Sequence, residues 1–458
     1  MVRSLYKMKE KELLELTIES LGMEGEGVAH AGDRTFFVPY ALPGERVKVA
    51  VDRVKGRVAF AHIIKMLSPS AERREAGCPL FGKCGGCALR HLPYQKQLEV
   101  KKENVKALFR KNAGIDLADV AIIGGAEDGY RNKVALPFGV ENGAPVLGMF
   151  KRGTHKVLPL LKCPLHGEWI EPLVNAALSF AQEKKVSVYD EKTGKGLLRH
   201  LVARRLPTPE GWEYGVIFVV NGAKLPFEEE AVRRLQKALD GKVNVYLCKN
   251  TLRNNVILTS SIRTLCGEDH LRAMISGGVA EVSPLAFLQV NFSIAERIYE
   301  AVRGAVPAGK FVVDAYSGTG IMSALLGKTA SEVVGIETIA DAVRDANDNA
   351  RLFGVEGKVK HLCGEVETLL PDVVKDKKDY VLVVDPPRAG LDKTVIDTIL
   401  KNPPERIVYV SCSPATLTRD IALLKDAFRL DGVTLYDMFP QTPHVETFAL
   451  LQKMEFNN

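Results

Sequence analysis

The sequence lacks any long apolar run, since no stretch of 18 or more consecutive apolar residues occurs among its 458 residues. A membrane-spanning helix needs about 20 such residues, so we expect no span. The first 16 residues alternate lysine and glutamate without the apolar core of a signal peptide, so we expect no secretion. Internal repeats and low-complexity tracts are missing too. These absences predict a globular, cytoplasmic protein of two or three domains.

Cysteine is present, and four of the eight cysteines have the spacing of metal ligands. Cys78, Cys84 and Cys87 lie close together, and Cys163 follows after 75 intervening residues. Residues 83–87 (KCGGC) form a glycine-rich stretch that indicates a loop rather than a helix or strand. In a reducing compartment, thiolates at this spacing bind a soft metal centre more readily than they form disulfides. The spacing predicts an iron–sulfur cluster or a zinc ion and does not choose between them.

The net charge of +6 hides an asymmetry between the two parts of the chain. Residues 1–285 contain 43 lysines and arginines against 32 acidic residues, whereas residues 286–458 contain 19 against 24. A basic first part suggests contact with a polyanion, and nucleic acid is the natural candidate because neutralised phosphates release counterions.

The first two thirds of the chain carry three kinds of pattern. Alternating apolar residues at 14–18, 34–38 and 46–51, separated by glycine turns, predict short strands of an OB-like barrel, a frequent binder of single-stranded nucleic acid. A helix-like run covers residues 94–111. Residues 130–285 are rich in strands and turns, and we interpret them as a central α+β region.

From Ser283 onward, strands and helices alternate. This alternation predicts a doubly wound, mostly parallel sheet, in which ligands bind beyond the carboxyl ends of the strands. Its predicted strands are residues 311–314, 333–337, 380–385 and 407–412, followed by a final pair at 433–438 and 447–451.

Residues 314–320 (DAYSGTG) leave the first of these strands and open a helix. Their glycines let the backbone approach a ligand, and Glu337 ends the next strand, where an acidic residue binds ribose hydroxyls. The third glycine of the dinucleotide fingerprint is missing, because Ser323 stands in its place. An adenosyl cofactor without a pyrophosphate, S-adenosylmethionine, therefore fits better than NAD.

Three further motifs follow later strands of the same sheet. Residues 385–390 (DPPRAG) form a stiff loop that exposes Asp385 at the ligand edge. Cys412, in residues 411–414 (SCSP), lies at a strand tip, where we expect a nucleophile, although a free cysteine is more often a small buried hydrophobe. Glu446, in residues 444–447 (HVET), lies in a turn suited to a loop-borne acid or base.

Together these motifs resemble the RNA uracil-5-methyltransferase family, whose members make 5-methyluridine in ribosomal or transfer RNA. The four cysteines, residues 289–291 (QVN), DAYSGTG, DPPRAG, SCSP and HVET occur in the family order and span nearly the whole chain. The resemblance implies an α/β class I S-adenosylmethionine-dependent methyltransferase domain at 286–458. It further implies an N-terminal OB-like TRAM domain for RNA binding at 8–66, and a central α+β domain with the iron–sulfur site at 74–285, whose helix 94–111 packs on the catalytic domain.

The resemblance also implies roles for individual residues. It implies a [4Fe–4S] cluster on the four cysteines, Cys412 as the nucleophile and Glu446 as the proton acceptor. Implied contacts to S-adenosylmethionine are Gln289, Tyr316, Glu337 and Asp385. Two positions depart from some members: Ile321, to which we assign no cofactor contact, and Ser413, where a hydrogen bond beside the nucleophile is expected to differ.

The implied reaction is methylation of carbon 5 of uridine through a covalent bond between Cys412 and the uracil ring. We expect 23S ribosomal RNA as substrate, with transfer RNA as the alternative, no membrane contact and no obligate protein partner. A rival of another class is a non-catalytic iron–sulfur protein that binds RNA. The joint presence of Cys412 and Glu446 favours the enzyme, because a pure binder needs neither.

Overall fold

The structure, a computed structural model, describes residues 11–455, so the first residues of the predicted domain 8–66 lie outside the described part. The chain divides into two compact units. The first holds residues 11–107 and 439–444, and the second holds 108–438 and 445–455. Within residues 11–455, no helix combines the length and the apolar character that crossing a membrane requires.

A six-stranded sheet occupies residues 13–68 of the first unit, with the strand order β1-β5-β6-β4-β3-β2. Alternate residues of β5, such as Val47, Val49 and Val51, point into a core that also contains Phe36, as the two-residue period of a strand requires. The three strands predicted in this region are all present. The strands are β1 (Leu13–Thr17), β2 (Ser20–Leu21), β3 (Gly27–Ala31), β4 (Arg34–Val38), β5 (Arg46–Lys55) and β6 (Val58–Ser68).

The predicted helix at 94–111 is present as α1 (Tyr94–Leu108), which continues into a π-helical turn at Phe109–Ala113. Gly114 ends this turn in a left-handed conformation, with φ +71°. The π-helical turn belongs to the second unit, where the Asn112 side chain donates a 2.9 Å hydrogen bond to the Thr418 hydroxyl. Asn112 lies one residue beyond the predicted helix, and the packing of residues 94–111 on the catalytic domain stays a prediction.

The second unit contains a seven-stranded sheet in the order β10-β9-β8-β11-β12-β13-β14. Every neighbouring pair is antiparallel except β12 with β13. The strands are β8 (Lys133–Glu141), β9 (Ala144–Phe150), β10 (Val157–Pro159), β11 (Leu198–Thr208), β12 (Gly211–Val220), β13 (Lys242–Lys249) and β14 (Ile262–Cys266), with helices α2 (Ile170–Glu183) and α3 (Glu228–Ala238). β7 (Ala121–Ile123) precedes them in the chain and joins another sheet.

The hairpin β15 (Leu271–Ile275) and β16 (Gly278–Val282) follows the seven-stranded sheet. One hydrophobic core joins this hairpin to both of its neighbours: Val219 of the seven-stranded sheet, Leu271 of the hairpin and Ile321 of the catalytic region all belong to it. The central and catalytic segments, which we predicted as separate domains, therefore share a core.

An eight-stranded sheet, in the order β19-β18-β17-β20-β21-β23-β22-β7, forms the catalytic region. The first five strands of this order are parallel, and β23 is antiparallel to both of its neighbours. The elements are α4 (Phe292–Ala305), β17 (Phe311–Ala315), α5 (Ile321–Gly327), β18 (Glu332–Glu337), α6 (Ala340–Leu352), β19 (Val359–Cys363), α7 (Val366–Val374), β20 (Val381–Val384), α8 (Lys393–Lys401), β21 (Arg406–Ser411), α9 (Pro414–Leu424), β22 (Phe428–Tyr436) and β23 (Glu446–Lys453). The predicted doubly wound sheet is present, with one strand, β7, contributed from the segment predicted as central.

Candidate active site

The loop between β17 and α5 is built for close approach of a ligand. Tyr316 has φ +67°, a left-handed conformation that an aromatic residue rarely adopts, and its hydroxyl donates to Glu367 at 3.4 Å. Gly320 has φ +72°, and a Cβ there would lie 2.6 Å from the Cβ of Ala346. Only glycine therefore fits where the loop turns into the helix.

A pocket opens beside this loop. Gln289, Tyr316 and Asp385, three of the four residues predicted to contact the cofactor, line it together with Phe287 and Ile321. Ile321, to which we assigned no cofactor contact, forms part of its apolar wall and is 3% exposed. The pocket thus brings residues from three separate motifs to the carboxyl end of the sheet.

Glu337, the fourth predicted cofactor residue, ends β18 beside the same loop. One of its carboxylate oxygens accepts the Gly318 backbone N–H at 3.0 Å, and the other accepts the Ile339 N–H at 2.9 Å. Since Gly318 lines the pocket, the carboxylate is held at its edge. A carboxylate in this place can accept hydrogen bonds from the hydroxyls of a ribose.

Two carboxyl groups belong to the base of the pocket. Asp314 is 3% exposed and accepts a 2.5 Å hydrogen bond from Ser323, and burial raises its pKa to about 6. Asp385 keeps an exposed surface within the open pocket. Loss of hydration in the cleft, together with the charge of Asp314, raises the pKa of Asp385 to about 7. Two neighbouring acids in one pocket favour a ligand that carries positive charge.

The loop that carries Asp385 is fixed by side chains of α9. Asp420 is fully buried, and one of its oxygens accepts the Leu391 N–H and the Tyr409 hydroxyl, both at 2.8 Å. Arg419 donates to the Ala389 carbonyl at 3.0 Å. A buried carboxylate and an arginine of α9 therefore fix the DPPRAG loop that carries Asp385, and no ligand is needed for these contacts.

Cys412 directly follows the last residue of β21 and precedes the first residue of α9 by two positions. It is half-buried. Burial raises the pKa of its thiol, as do the carboxylates of Glu446 and Asp385, whereas the Arg388 guanidinium opposes these effects. The N-terminus of α9 also presents positive partial charge toward this position, which favours a thiolate.

Glu446 opens β23, the strand next to β21. Ser411 pairs with Thr447 in the antiparallel register, so Cys412 and Glu446 are the next two residues to face each other. Glu446 is 4% exposed, and burial together with the Asp385 charge raises its pKa to about 8, against the opposing effect of Arg388. A carboxylate with such a pKa is a stronger base than an ordinary surface glutamate.

The four predicted cluster cysteines are not gathered as a metal site. Among residues 11–455, no group of three or more histidine, cysteine, aspartate or glutamate side chains is arranged to hold a metal ion. The Cys84 Sγ accepts the Gly86 N–H at 3.3 Å, a contact that ligating sulfurs also make, but burial and then the Cys78 charge raise the pKa of its thiol and so oppose the thiolate that binds a metal. As placed, however, the side chains do not fit a bound cluster, and no chemical step is assigned to one.

Several positioning residues carried no signal in the sequence. Asp314 opens the DAYSGTG motif but has no role of its own in the sequence analysis, and nothing in the sequence indicates that Asp420 holds the DPPRAG loop. Asn349 on α6 donates to the carbonyls of Thr319 and Glu281, both at 2.9 Å, and so ties the cofactor loop to β16. A polar residue on a buried helix face is the only pattern that could have pointed to Asn349.

Family models match three parts of the chain. Residues 368–454 match a tRNA (uracil-5-)-methyltransferase model, residues 7–64 match a TRAM domain, and residues 309–398 match an RNA cap guanine-N2 methyltransferase model. The first and second of these correspond to the segments for which we expected catalysis and RNA binding.

Whole-length relatives are also found. An uncharacterized RNA methyltransferase of Clostridium tetani is 36% identical, covering 97% of both chains. Another, from Caldanaerobacter subterraneus, is 38% identical over 98% of this chain and 100% of its own. Among solved structures, the tRNA (uracil-54, C5)-methyltransferase of Pyrococcus abyssi in complex with S-adenosyl-L-homocysteine is similar, with a TM-score of 0.78 and 27% identity over 96% of this chain and 100% of that one.

Proposed function

Because the chain belongs to the family of S-adenosylmethionine-dependent RNA uracil-5-methyltransferases, we propose that it methylates carbon 5 of a uridine in 23S ribosomal RNA through a covalent bond between Cys412 and the uracil ring. One observation carries the mechanism. Cys412 and Glu446 lie one position beyond the last residue pair of the neighbouring strands β21 and β23, the Glu446 charge acts on the Cys412 thiol, and the Asp385 charge from the cofactor pocket acts on both groups.

The chemistry requires a nucleophile because carbon 5 of uracil is only weakly reactive toward a methyl donor. The Cys412 thiolate adds to carbon 6, and the electron pair displaced from the double bond gives an enolate with electron density at carbon 5. S-adenosylmethionine would supply the methyl group from its sulfonium, with the electron pair of the broken S–CH3 bond staying on the sulfur of the leaving S-adenosylhomocysteine. After carbon 5 is methylated, Glu446 removes the proton there, the double bond re-forms and the Cys412–carbon 6 bond breaks.

The charges around Cys412 act in both directions, and together with burial they raise the pKa of its thiol. Arg388 and the N-terminus of α9 favour the thiolate, while the nearby carboxylates oppose it. The target uridine must leave its base stack to reach a cleft at the end of a sheet, and such extrusion costs least in loops and unpaired regions of RNA. We therefore propose that the target uridine is unpaired or weakly paired.

The four predicted cofactor residues divide into two kinds. Asp385, with Asp314 beside it, provides negative charge toward a sulfonium. Glu337 is suited to accept hydrogen bonds from ribose hydroxyls, and Tyr316 and Gln289 line the walls on either side. We propose these roles for S-adenosylmethionine binding on the basis of the pocket lining and the charges.

A covalent trap tests the mechanism. RNA in which uracil is replaced by 5-fluorouracil should form a stable adduct with the protein, because the base cannot remove fluorine from carbon 5. We expect a band shift on a denaturing gel with the wild type and with Cys363→Ala, whose cysteine is exposed at the end of β19. Cys412→Ala should give none. An adduct that persists in Cys412→Ala would assign the nucleophile to another residue.

The substrate has a second candidate. The TRAM domain and the cysteine pattern support 23S ribosomal RNA, whereas a transfer RNA enzyme is supported by the similarity to the Pyrococcus abyssi protein. That similarity covers 96% of this chain, so it extends into the TRAM region as well. The TRAM domain alone therefore does not decide between the two RNAs.

Mapping of 5-methyluridine decides the substrate. RNA from cells with and without this gene, separated into ribosomal and transfer fractions, should differ at a uridine of 23S ribosomal RNA alone. A difference confined to transfer RNA would establish the second candidate. Either result is compatible with the cytoplasmic location that we propose, because both RNAs are found there.

We also keep the [4Fe–4S] cluster on Cys78, Cys84, Cys87 and Cys163 as a proposal with a structural or RNA-shaping role. The spacing supports a soft metal centre and the resemblance to the family supports [4Fe–4S] over zinc, while the side chains among residues 11–455 do not gather into a metal group. Iron and acid-labile sulfide should be found in protein purified without oxygen and should be lost in Cys84→Ser. Full turnover without iron on a minimal RNA would support the structural role, and a redox change during turnover would overturn it.

A further inference from the structure

Two cationic side chains face each other in the seven-stranded sheet without a counter-charge. Lys133 on β8 and Arg204 on β11 are direct partners in the antiparallel register, so both point to the same face of the sheet. Arg204 is 3% exposed and Lys133 is half-buried. No carboxylate among residues 11–455 influences the pKa of either side chain. Like charges directly opposite each other destabilise a sheet, so this pair needs an explanation.

The surroundings add positive charge. The Arg131 side chain donates to the Lys133 carbonyl at 3.3 Å. Burial, followed by the charges of Arg204 and Arg131, lowers the pKa of Lys133 to about 8, which still leaves it mostly protonated at pH 7. One guanidinium nitrogen of Arg204 donates to the Ala286 carbonyl, but Nη1 is buried without a hydrogen-bond partner in the described part of the chain. Because Nη1 has no exposed surface, an oxyanion would be bound directly by the more exposed Lys133, and Arg204 would contribute its charge from behind.

The cations lie beside the loop that forms one side of the cofactor pocket. Asn132, between Arg131 and Lys133, donates its side-chain amide to the Gln289 carbonyl and its backbone N–H to the Val290 carbonyl, both at 2.9 Å. Gln289 itself lines the pocket. An anion bound by these cations would therefore lie next to the place where methyl transfer is proposed.

We propose that Lys133 and Arg131, supported by the buried charge of Arg204, bind a backbone phosphate of the RNA substrate beside residues 286–290 and so hold the target nucleotide at the cleft. The proposal rests on the proposed function, because the RNA substrate supplies the phosphate. Phosphate is the oxyanion that recurs along RNA, and arginine and lysine are its usual partners. The site would contribute affinity and register without reading the base.

Neutralising Lys133 tests the site. In Lys133→Met, we expect KM for RNA to rise about tenfold or more, since bonds to charged groups are lost. The slope of the logarithm of RNA affinity against the logarithm of salt concentration should fall by about one, as for one lost phosphate contact. The value of kcat and the affinity for S-adenosylmethionine should not change. Lys133→Arg should restore RNA affinity, and Lys133→Gln serves as a second neutral variant.

Lys401→Met is the matched control, because it removes the same charge at the exposed end of α8. Equal RNA affinity and equal salt slopes in Lys133→Met and Lys401→Met would overturn the proposal. Loss of iron from Lys133→Met with unchanged RNA binding would overturn it too, since the cations would then stabilise the proposed cluster on the cysteines and not bind RNA phosphate. If the wild type bound RNA but formed no 5-methyluridine, the proposed function would fail, whereas a reduced salt slope in Lys133→Met would still support the phosphate site.

Discussion

Two regions of the second unit concentrate charge of opposite sign. At the carboxyl end of the eight-stranded sheet, Asp314, Asp385 and Glu446 all have raised pKa values. In the seven-stranded sheet, Lys133 and Arg204 have lowered pKa values, to about 8 and about 10. In both regions the shifted pKa values mean that the folded protein without a ligand disfavours the charged form of these groups. The charge of each region is opposite to that of one ligand of the family. The acids are opposite in charge to the sulfonium of S-adenosylmethionine, and the cations are opposite in charge to RNA phosphate.

The two regions differ in how they hold these groups. The acids stand at or just beyond strand ends, where loops and helix N-termini begin and a ligand can enter. Lys133 and Arg204 instead stand within an antiparallel ladder, where the backbone register fixes which side chains face each other. At strand ends, a ligand can reach groups that exchange protons. Within the ladder, the two cations are held in fixed positions, which suits binding of a fixed negative charge.

The largest effect is expected from Glu446→Gln in the acidic region. Turnover should fall by about 10² to 10⁴, the usual contribution of a general base, and a covalent RNA complex should accumulate because proton removal precedes release. Denaturing gels and quantification of 5-methyluridine measure both effects. Glu455→Gln, an exposed carboxylate just beyond the same strand, is the control. Wild-type turnover in Glu446→Gln would remove this residue from the mechanism.

A smaller effect is expected from Asp385→Asn. Its charge favours a sulfonium, so this variant should lose about tenfold in its preference for S-adenosylmethionine over uncharged S-adenosylhomocysteine, by analogy with other charge-assisted contacts. Isothermal titration of both ligands gives the ratio. Glu337→Gln should weaken both ligands alike, because a ribose contact does not depend on the sulfur. An unchanged ratio in Asp385→Asn would contradict the charge argument.

The smallest effect concerns pH. Glu446 must be deprotonated to act as a base, so the rate at which the covalent RNA complex breaks down should rise with pH through about 8. Arg388 lowers the pKa of both Cys412 and Glu446, so Arg388→Met should move this rise to higher pH by up to about one unit. Lys133→Met should leave the midpoint in place, since Lys133 does not affect either group. A shift of equal size in both variants would mean that the two regions are not electrostatically separate.

The fold class was predicted correctly, and the whole-length structural match together with the TRAM segment confirms it. Strands β17, β18, β20 and β21 begin and end within a residue of their predicted positions, because continuous apolar runs between helices are a strong signal. Membership of the family sets aside the non-catalytic alternative. The sites assigned by resemblance stay predictions, although Cys412, Glu446 and Asp385 do come together.

Other features had no local signal. β7 joins the edge of the eight-stranded sheet beside β22, although about 310 residues separate the two strands in sequence. A strand of three residues carries too little periodicity to be recognised. The shared core of the hairpin and both sheets was missed for a related reason, since alternation shows that a residue is buried but not which element covers it.

The sequence by itself determined the alternation of strands and helices in the catalytic region and the glycine loop after β17, because these depend on local spacing and residue chemistry. It also singled out Cys412 and Glu446 as candidates for the nucleophile and the base. Tertiary structure alone decided that Cys412 and Glu446 face each other, that Asp420 fixes the DPPRAG loop and that Lys133 lies opposite Arg204. Strand register and buried polar contacts join residues that are distant in the chain, and one sequence contains no measure of such distances.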